Sequence, residues 1–155
     1  MRILHIIDHM GFGGAQQLLR DILPRLDELY DGELHLFVLR TAGKHTVPDI
    51  PNCVCATVDR DDWFVLLKVL KYVYLKKIDI VHLHLHKAVV VGLIVSLFCR
   101  VKVVVHEHTN FLKQPPKYRQ IIKLLCRRIT AILTDSQVYK EDIAAAIGIA
   151  SDKIY

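Results

Sequence analysis

Histidine is the residue type whose spacing first points to chemistry in this chain of 155 residues. Five of its nine histidines fall in two apolar segments, DIVHLHLH and VVVHEH. If both segments are strands, the alternation of side chains puts the histidines of each segment on one face. Near neutral pH an imidazole can hydrogen-bond, move a proton or bind a metal. The first candidates for a site are therefore His82, His84, His86, His106 and His108.

The position of each histidine along its strand separates structural from functional roles. Open parallel sheets bind ligands beyond the carboxyl ends of their strands. His82 and His106 lie deeper in the predicted strands, so we expect structural roles for both. His108, at the expected last position of its strand, is the predicted catalytic residue, which stabilises charge or orients a ligand. The residues expected to line the same cleft are His84, His86, Lys87, Glu107, Thr109, Asn110 and Ser136.

A glycine-rich turn, GFGG, separates the first predicted strand from the first predicted helix. Its pattern is GxGG rather than the dinucleotide-binding GxGxxG, because Gln16 occupies the sixth position. The acidic residue expected about 20 residues later is also missing, since the second strand leads into Arg40. Glycines still let a ligand approach the backbone, and a helix N-terminus attracts anions. We predict a phosphate contact at Gly13, Gly14 and Ala15, with a purely structural turn as the alternative.

A metal site needs three or four converging ligands. Two adjacent strands could bring histidines together, but no acid or cysteine completes a familiar ligand pattern. We therefore expect neither a metal nor another cofactor. The four cysteines form no CxxC pair and are expected to be reduced. A metal-dependent hydrolase built on the histidines stays open as an alternative.

Short β-branched runs alternate with longer segments of helical periodicity. This alternation predicts a three-layer αβα, Rossmann-like domain with a mainly parallel, doubly wound sheet. The strands are predicted at 2–7, 33–40, 53–58, 79–85, 101–108 and 131–135, and the helices at 14–29, 63–77, 87–99, 116–128 and 136–148. Ser136 is the expected N-cap of the last helix, and Gly148 its left-handed terminus.

The net charge of +5 is unevenly distributed. Residues 113–128 include six basic and no acidic side chains, a composition typical of helices that touch anionic membrane surfaces. A solvated helix surface is the alternative. The basic segments lack the interleaved aromatic residues on which nucleic-acid bases would stack, so we do not expect nucleic-acid binding. Without a long apolar run or a signal peptide, we expect a cytoplasmic protein, peripheral to the membrane at most.

Four segments, in this order, carry a family resemblance: MRILHIIDHMGFGGAQQLLRDILPRL, DIVHLHLHKAVVVGLI, VVVHEHT and ITAILTDSQVYKEDI with DKIY. Together they resemble the N-terminal domain of group-1, family 4 glycosyltransferases of the GT-B fold. The resemblance implies two Rossmann-like domains facing across a cleft, with the nucleotide-sugar donor held mainly by the C-terminal domain. It places Gly13 and Gly14 toward the donor phosphates, His108 beside the transferred sugar and Ser136 at a polar helix start. It also implies retention of anomeric configuration without a metal.

The resemblance covers residues 1–155 as an N-terminal, acceptor-side domain, and the donor-binding domain is absent. The closing residues IASDKIY look like a turn entering another strand, so we expect a piece of a longer protein. The implied full-length enzyme is a hexosyltransferase-like protein of polysaccharide biosynthesis, acting on a glycan or lipid-linked acceptor. The domain alone is expected to be inactive. The alternative is a stand-alone α/β module that binds a phosphorylated ligand without catalysis.

Overall fold

The computed structural model describes residues 1–40, 47–56, 64–108, 115–134 and 139–155. Strands and helices alternate along these ranges, except that no described helix separates the second strand from the third. The strands are β1 (Arg2–Ile7), β2 (Glu33–Val38), β3 (Cys53–Cys55), β4 (Ile80–His84), β5 (Lys102–Glu107) and β6 (Ile129–Thr134). The helices are α1 (Gly14–Leu29), α2 (Phe64–Lys76), α3 (His86–Phe98), α4 (Pro116–Leu125) and α5 (Tyr139–Ile147).

The six strands form one sheet in the order β3-β2-β1-β4-β5-β6, and every described pair of neighbours is parallel. The chain moves outward in one direction from β1 to β3, and then returns past β1 to add β4, β5 and β6. The order therefore reverses between β1 and β4, where doubly wound sheets bind their ligands. This topology confirms the predicted Rossmann-like class.

Apolar side chains cover both faces of the sheet, because successive strand residues point to opposite sides. On one face, Val81 and Leu83 of β4 belong to the larger core, to which α2, α3, α4 and α5 all contribute. On the other face, Ile7 of β1 and Leu36 of β2 pack with Leu19 of α1 in a smaller core. Each such buried side chain stabilises the fold by about 1.5–3 kcal/mol.

Helix α3 is the long apolar segment that the sequence assigns to a buried helix, and most of its side chains are buried. It packs so closely on β4 that a Cβ atom at Gly92 would collide with the side chain of Leu83. No helix in the described ranges is both long enough and apolar enough to span a membrane.

Several predicted boundaries shift near the strand ends. Strand β5 stops at Glu107, so His108 lies just past the strand rather than at its last position. Strand β4 stops at His84, and His86 already begins α3. The prediction that His86 continues the strand face of His82 and His84 is therefore wrong.

The end of α5 matches its prediction, because Gly148 has a positive φ of 78° and its N–H donates to the carbonyl of Ala144. This left-handed glycine is a common way to close a helix. The predicted N-cap, Ser136, lies outside the described residues.

Candidate functional site

Three imidazole rings form a hydrogen-bonded line across the middle of the sheet, from β1 to the end of β5. Nδ1 of His5 lies 3.1 Å from Nε2 of His84, and Nδ1 of His84 lies 3.1 Å from Nε2 of His108. We call this line the histidine chain. A neutral imidazole has one N–H and one lone pair, so the proton of one ring dictates the tautomers of the others. His108 is thus held in orientation by residues beneath it.

Two more histidines pack against this chain and complete what we call the histidine cluster. The ring of His106 stacks on that of His108 with centroids 3.9 Å apart. The ring of His82 lies 4.7 Å from that of His5 and 4.5 Å from that of His84. His82 and His106, for which the sequence predicts structural roles, therefore belong to a single cluster of five rings.

Sequence reasoning missed His5. It stands in the apolar strand β1, and the sheet register pairs it with His82 on β4. A histidine inside an otherwise apolar strand is the signal that was available. Only the strand order makes β1 and β4 neighbours, so the sequence alone could not connect this residue with the others.

Burial makes the interior of the cluster uncharged at neutral pH. Loss of solvent, and then repulsion from His106, lowers the pKa of His5 to about 4. Burial, followed by repulsion from neighbouring histidines led by His5, lowers the pKa of His82 to about 2. The same causes, led by burial, lower the pKa of His84 well below its usual range. These rings therefore offer neutral donors and lone pairs.

A cavity of about 240 Å³ separates the histidine cluster from α1. Its floor includes His5, His82, His84 and His106, and apolar side chains of α1 line the other side. Nε2 of His82 is buried and has no hydrogen-bond partner among the described residues. An unsatisfied buried polar atom of this kind costs about 1–3 kcal/mol.

The glycine turn meets α1 at Gly13, which caps the helix with φ 152° and ψ 163°. This backbone region is essentially restricted to glycine, and a Cβ at Gly13 would collide with the side chain of Gln16. No side chain in the described part of the chain caps the helix, and its first turn contains no acid. Gly14 adjoins open space. The predicted contact residue Ala15 is buried as a whole residue, backbone included.

The tip of the turn carries a residue that sequence reasoning missed. Phe12 stands between two glycines and is 99% exposed. Arg20 holds the turn in place, since its Nη1 donates to the carbonyl of Met10 at 3.2 Å. An aromatic ring fully exposed on an anchored turn can pack against a ligand.

Asp8 and Arg40 close the neighbouring part of the sheet edge with a 2.7 Å ion pair. Arg40, the residue that argues against a nicotinamide ribose site, therefore has a partner within the fold. One buried atom of each residue, Oδ1 of Asp8 and Nε of Arg40, lacks a hydrogen-bond partner within the described ranges. Burial lowers the pKa of His86, and the nearby carboxylate of Asp8 opposes this shift.

The other predicted cleft residues lie in different surroundings. His84 belongs to the histidine cluster, whereas His86 leaves it and places its ring 6.2 Å from that of Tyr118 on α4. The residue between them, Leu85, has a positive φ of 69°, a backbone strain of about 1–3 kcal/mol that is frequent at functional sites. Lys87 and Glu107 are half-buried at the same edge. Thr109, Asn110 and Ser136 lie outside the described residues.

Solved structures with a similar fold are glycosyltransferases. The chain matches Anabaena Alr3699/HepE in complex with UDP with a TM-score of 0.76 and 18% identity, covering 100% of this chain and 43% of that one. It matches a glycosyltransferase from Rickettsia africae ESF-5 with a TM-score of 0.64 and 13% identity, over 99% and 41%. Acinetobacter baumannii MurG gives 0.57 and 12%, over 88% and 41%. The chain thus spans less than half the length of these structures.

The sequence identifies the family of this chain more specifically than these distantly related structures do. No curated protein sequence matches it. The model of the Glycosyltransferase Family 4 matches residues 12–155, which is nearly the whole chain. Its described structure has the parallel Rossmann-like sheet of the similar GT-B enzymes. The chain belongs to glycosyltransferase family 4.

Proposed function

We propose that this chain is the N-terminal, acceptor-side domain of a retaining hexosyltransferase that uses a nucleotide-sugar donor. The observation that carries the proposal is the histidine chain, which holds His108 at the carboxyl edge of the sheet of a family 4 protein. Anabaena Alr3699/HepE is described in complex with UDP-glucose, which supports a donor of this chemical class. A second domain, outside this chain, would hold most of the donor.

The glycine turn is the proposed phosphate contact of this domain. The N-terminus of α1, which no described side chain caps, presents backbone N–H groups and the positive end of the helix dipole. Gly14 leaves room for a phosphate to approach that backbone, whereas Gly13 is required by its conformation. Phe12, beside them, would pack against the donor or the acceptor.

His108 is the proposed catalytic residue, and it needs no cofactor in this scheme. Its ring would orient the transferred sugar and stabilise the charge that develops as the donor bond breaks. His84 acts through His108 and is therefore a positioning residue. The remaining predicted cleft residues, His86, Lys87 and Glu107 among the described ones, would face the acceptor.

The acceptor is proposed to be a glycan or a lipid-linked sugar, reached near a membrane. Helix α4 and the turn after it expose Lys117, Lys123 and Arg127, and Leu124 beside them is 80% exposed. Basic side chains next to an exposed apolar one suit the surface of an anionic bilayer. Of the predicted basic segment 113–128, residues 113 and 114 lie outside the described residues.

Sugar transfer by the two-domain protein tests the role of His108. We expect His108→Ala to lower kcat by about 100-fold or more, as removal of one charge-stabilising donor does elsewhere. His35→Gln is the matched control, because His35 is also buried but bonds to Tyr72 away from the carboxyl edge. Undiminished turnover in His108→Ala would remove this residue from the mechanism.

The isolated chain separates the proposal from the alternative of a binding module. We expect no sugar transfer from the 155 residues alone. Binding of inorganic phosphate or UDP can be monitored through the NMR amide signals of Gly13 and Gly14. A shift of these signals on binding would support the phosphate contact. Transfer by the isolated chain would contradict a two-domain enzyme.

A further inference from the structure

Three histidines on two neighbouring strands have the arrangement of a metal site. His82 and His84 lie on β4, two residues apart on one face, and His5 lies beside His82 on β1. One ring nitrogen from each of the three lies within 4.8 Å of the other two. From this geometry we propose that His5, His82 and His84 bind one divalent transition-metal ion, for which Zn²⁺ is the best match.

The spacing of the nitrogen atoms suits a tetrahedral ion. Zinc binds imidazole nitrogen at about 2.0–2.1 Å, which puts two tetrahedral ligands about 3.3 Å apart. Nδ1 of His5 and Nε2 of His84 are 3.1 Å apart, close to that value. Imidazole nitrogen is also a ligand type that suits zinc, copper and nickel.

An ion would also satisfy the orphaned ring of His82. Its Nε2 atom is buried without a hydrogen-bond partner in the part of the chain that the structure describes, although its ring packs against those of His5 and His84. Coordination would remove this cost of about 1–3 kcal/mol. The adjoining cavity of about 240 Å³ has room for a water as the fourth ligand, since a water occupies about 30 Å³.

The ion would be connected to the proposed catalytic residue through His84. A metal-bound histidine usually donates its other ring N–H to a neighbouring acceptor. Here Nδ1 of His84 lies 3.1 Å from Nε2 of His108. The ion would replace the hydrogen bond between His5 and His84, and it would make Nε2 of His108 an acceptor. The metal site would therefore hold His108 in position at the edge of the cleft, and the metal would take no part in the sugar transfer itself.

A second histidine triplet competes for His84. One ring nitrogen from each of His84, His106 and His108 also lies within 4.8 Å of the other two. We assign the ion to the first triplet, because that triplet is more deeply buried and contains the orphaned nitrogen. The expectation of no metal arose because no acid or cysteine completes a familiar ligand pattern with the histidines of these two segments. The missing ligand is His5, which comes from a third strand.

Calorimetric titration of the chelator-treated 155-residue chain with Zn²⁺ tests the proposal without any sugar substrate. We expect one ion per chain. His82→Gln should weaken binding by at least about 100-fold, since loss of a ligand costs more than the 10–100-fold typical of its supporting residues. His106→Gln is the matched control, because His106 stacks on His82 at 5.7 Å but belongs only to the second triplet. It should change the affinity less than about tenfold.

Cobalt substitution keeps the test decisive if the glutamine variant does not fold. His82→Cys retains a ligand, so its Co²⁺ complex should gain a sulfur-to-cobalt charge-transfer band that the natural chain lacks. Absence of stoichiometric zinc binding would overturn the proposal. So would binding lost in His106→Gln but kept in His82→Gln, or a His82→Cys complex without the sulfur band.

Discussion

The glycine turn and the histidine cluster lie at the same edge of the sheet but are built in opposite ways. The turn works through its backbone, and its tip residue Phe12 is almost fully exposed. The cluster works through side chains, and its inner members His5 and His84 are buried. The turn needs only neighbouring residues to form, whereas the cluster needs three strands. Changes in the turn should therefore affect ligand binding, and changes in the cluster should affect stability first.

The largest effect on stability is expected at the centre of the cluster. His5→Ala leaves a cavity and removes the partner of Nε2 of His84, so it should lower the free energy of unfolding by about 3 kcal/mol. Urea denaturation of the metal-free chain measures this loss. His86→Ala, which lies outside the cluster, is the control and should cost less than about 1 kcal/mol. Equal effects at both positions would show that the cluster contributes no special stability.

The two glycines at the start of α1 should separate conformation from ligand access. Gly13→Ala forces a side chain into a glycine-only conformation and should cost about 1–3 kcal/mol of stability. Gly14→Ala, at an open helical position, should stabilise the chain by about 0.4–1 kcal/mol and still weaken phosphate binding. Thermal unfolding and phosphate titration measure the two effects. A destabilised Gly14→Ala variant would contradict this separation.

The smallest effect on stability is expected at Phe12. Phe12→Ala removes an exposed ring and should change the free energy of unfolding by less than about 0.5 kcal/mol. If the ring packs against a ligand, the KM for donor or acceptor in the two-domain protein should rise about two- to tenfold, equivalent to about 0.5–1.5 kcal/mol. Leu29→Ala, at the far end of α1, is the exposed control. Unchanged KM values for both substrates would remove Phe12 from the binding surface.

Local patterns predicted much of this fold. Strand β1 and helix α1 lie at their predicted residues, because apolar periodicity and the intervening glycines are short-range signals. The end of α5 was also predictable, because a glycine such as Gly148 commonly closes a helix. The boundaries of β4 and β5 were less predictable. The alternating histidines of both segments continue past the last residue of each strand, so the pattern alone extends the strands.

Of the predicted site, the structure brings His84 and His108 within hydrogen-bond distance and moves His86 to another neighbour. A two-residue period does not show where a strand becomes a helix, and here that change occurs at the strained residue Leu85. Phe12 was missed because exposure depends on what surrounds a turn. Thr109, Asn110 and Ser136 stay predictions.

The sequence by itself determined the alternation of strands and helices, the glycine turn and the family to which the chain belongs. Each of these depends on residues close together in the chain or on motifs in a fixed order. Only the tertiary structure decided which histidines meet. The sheet order places β1 beside β4, and so brings His5 to His82 across 77 residues of sequence. Strand order is a long-range property, set by how the whole sheet buries its apolar faces.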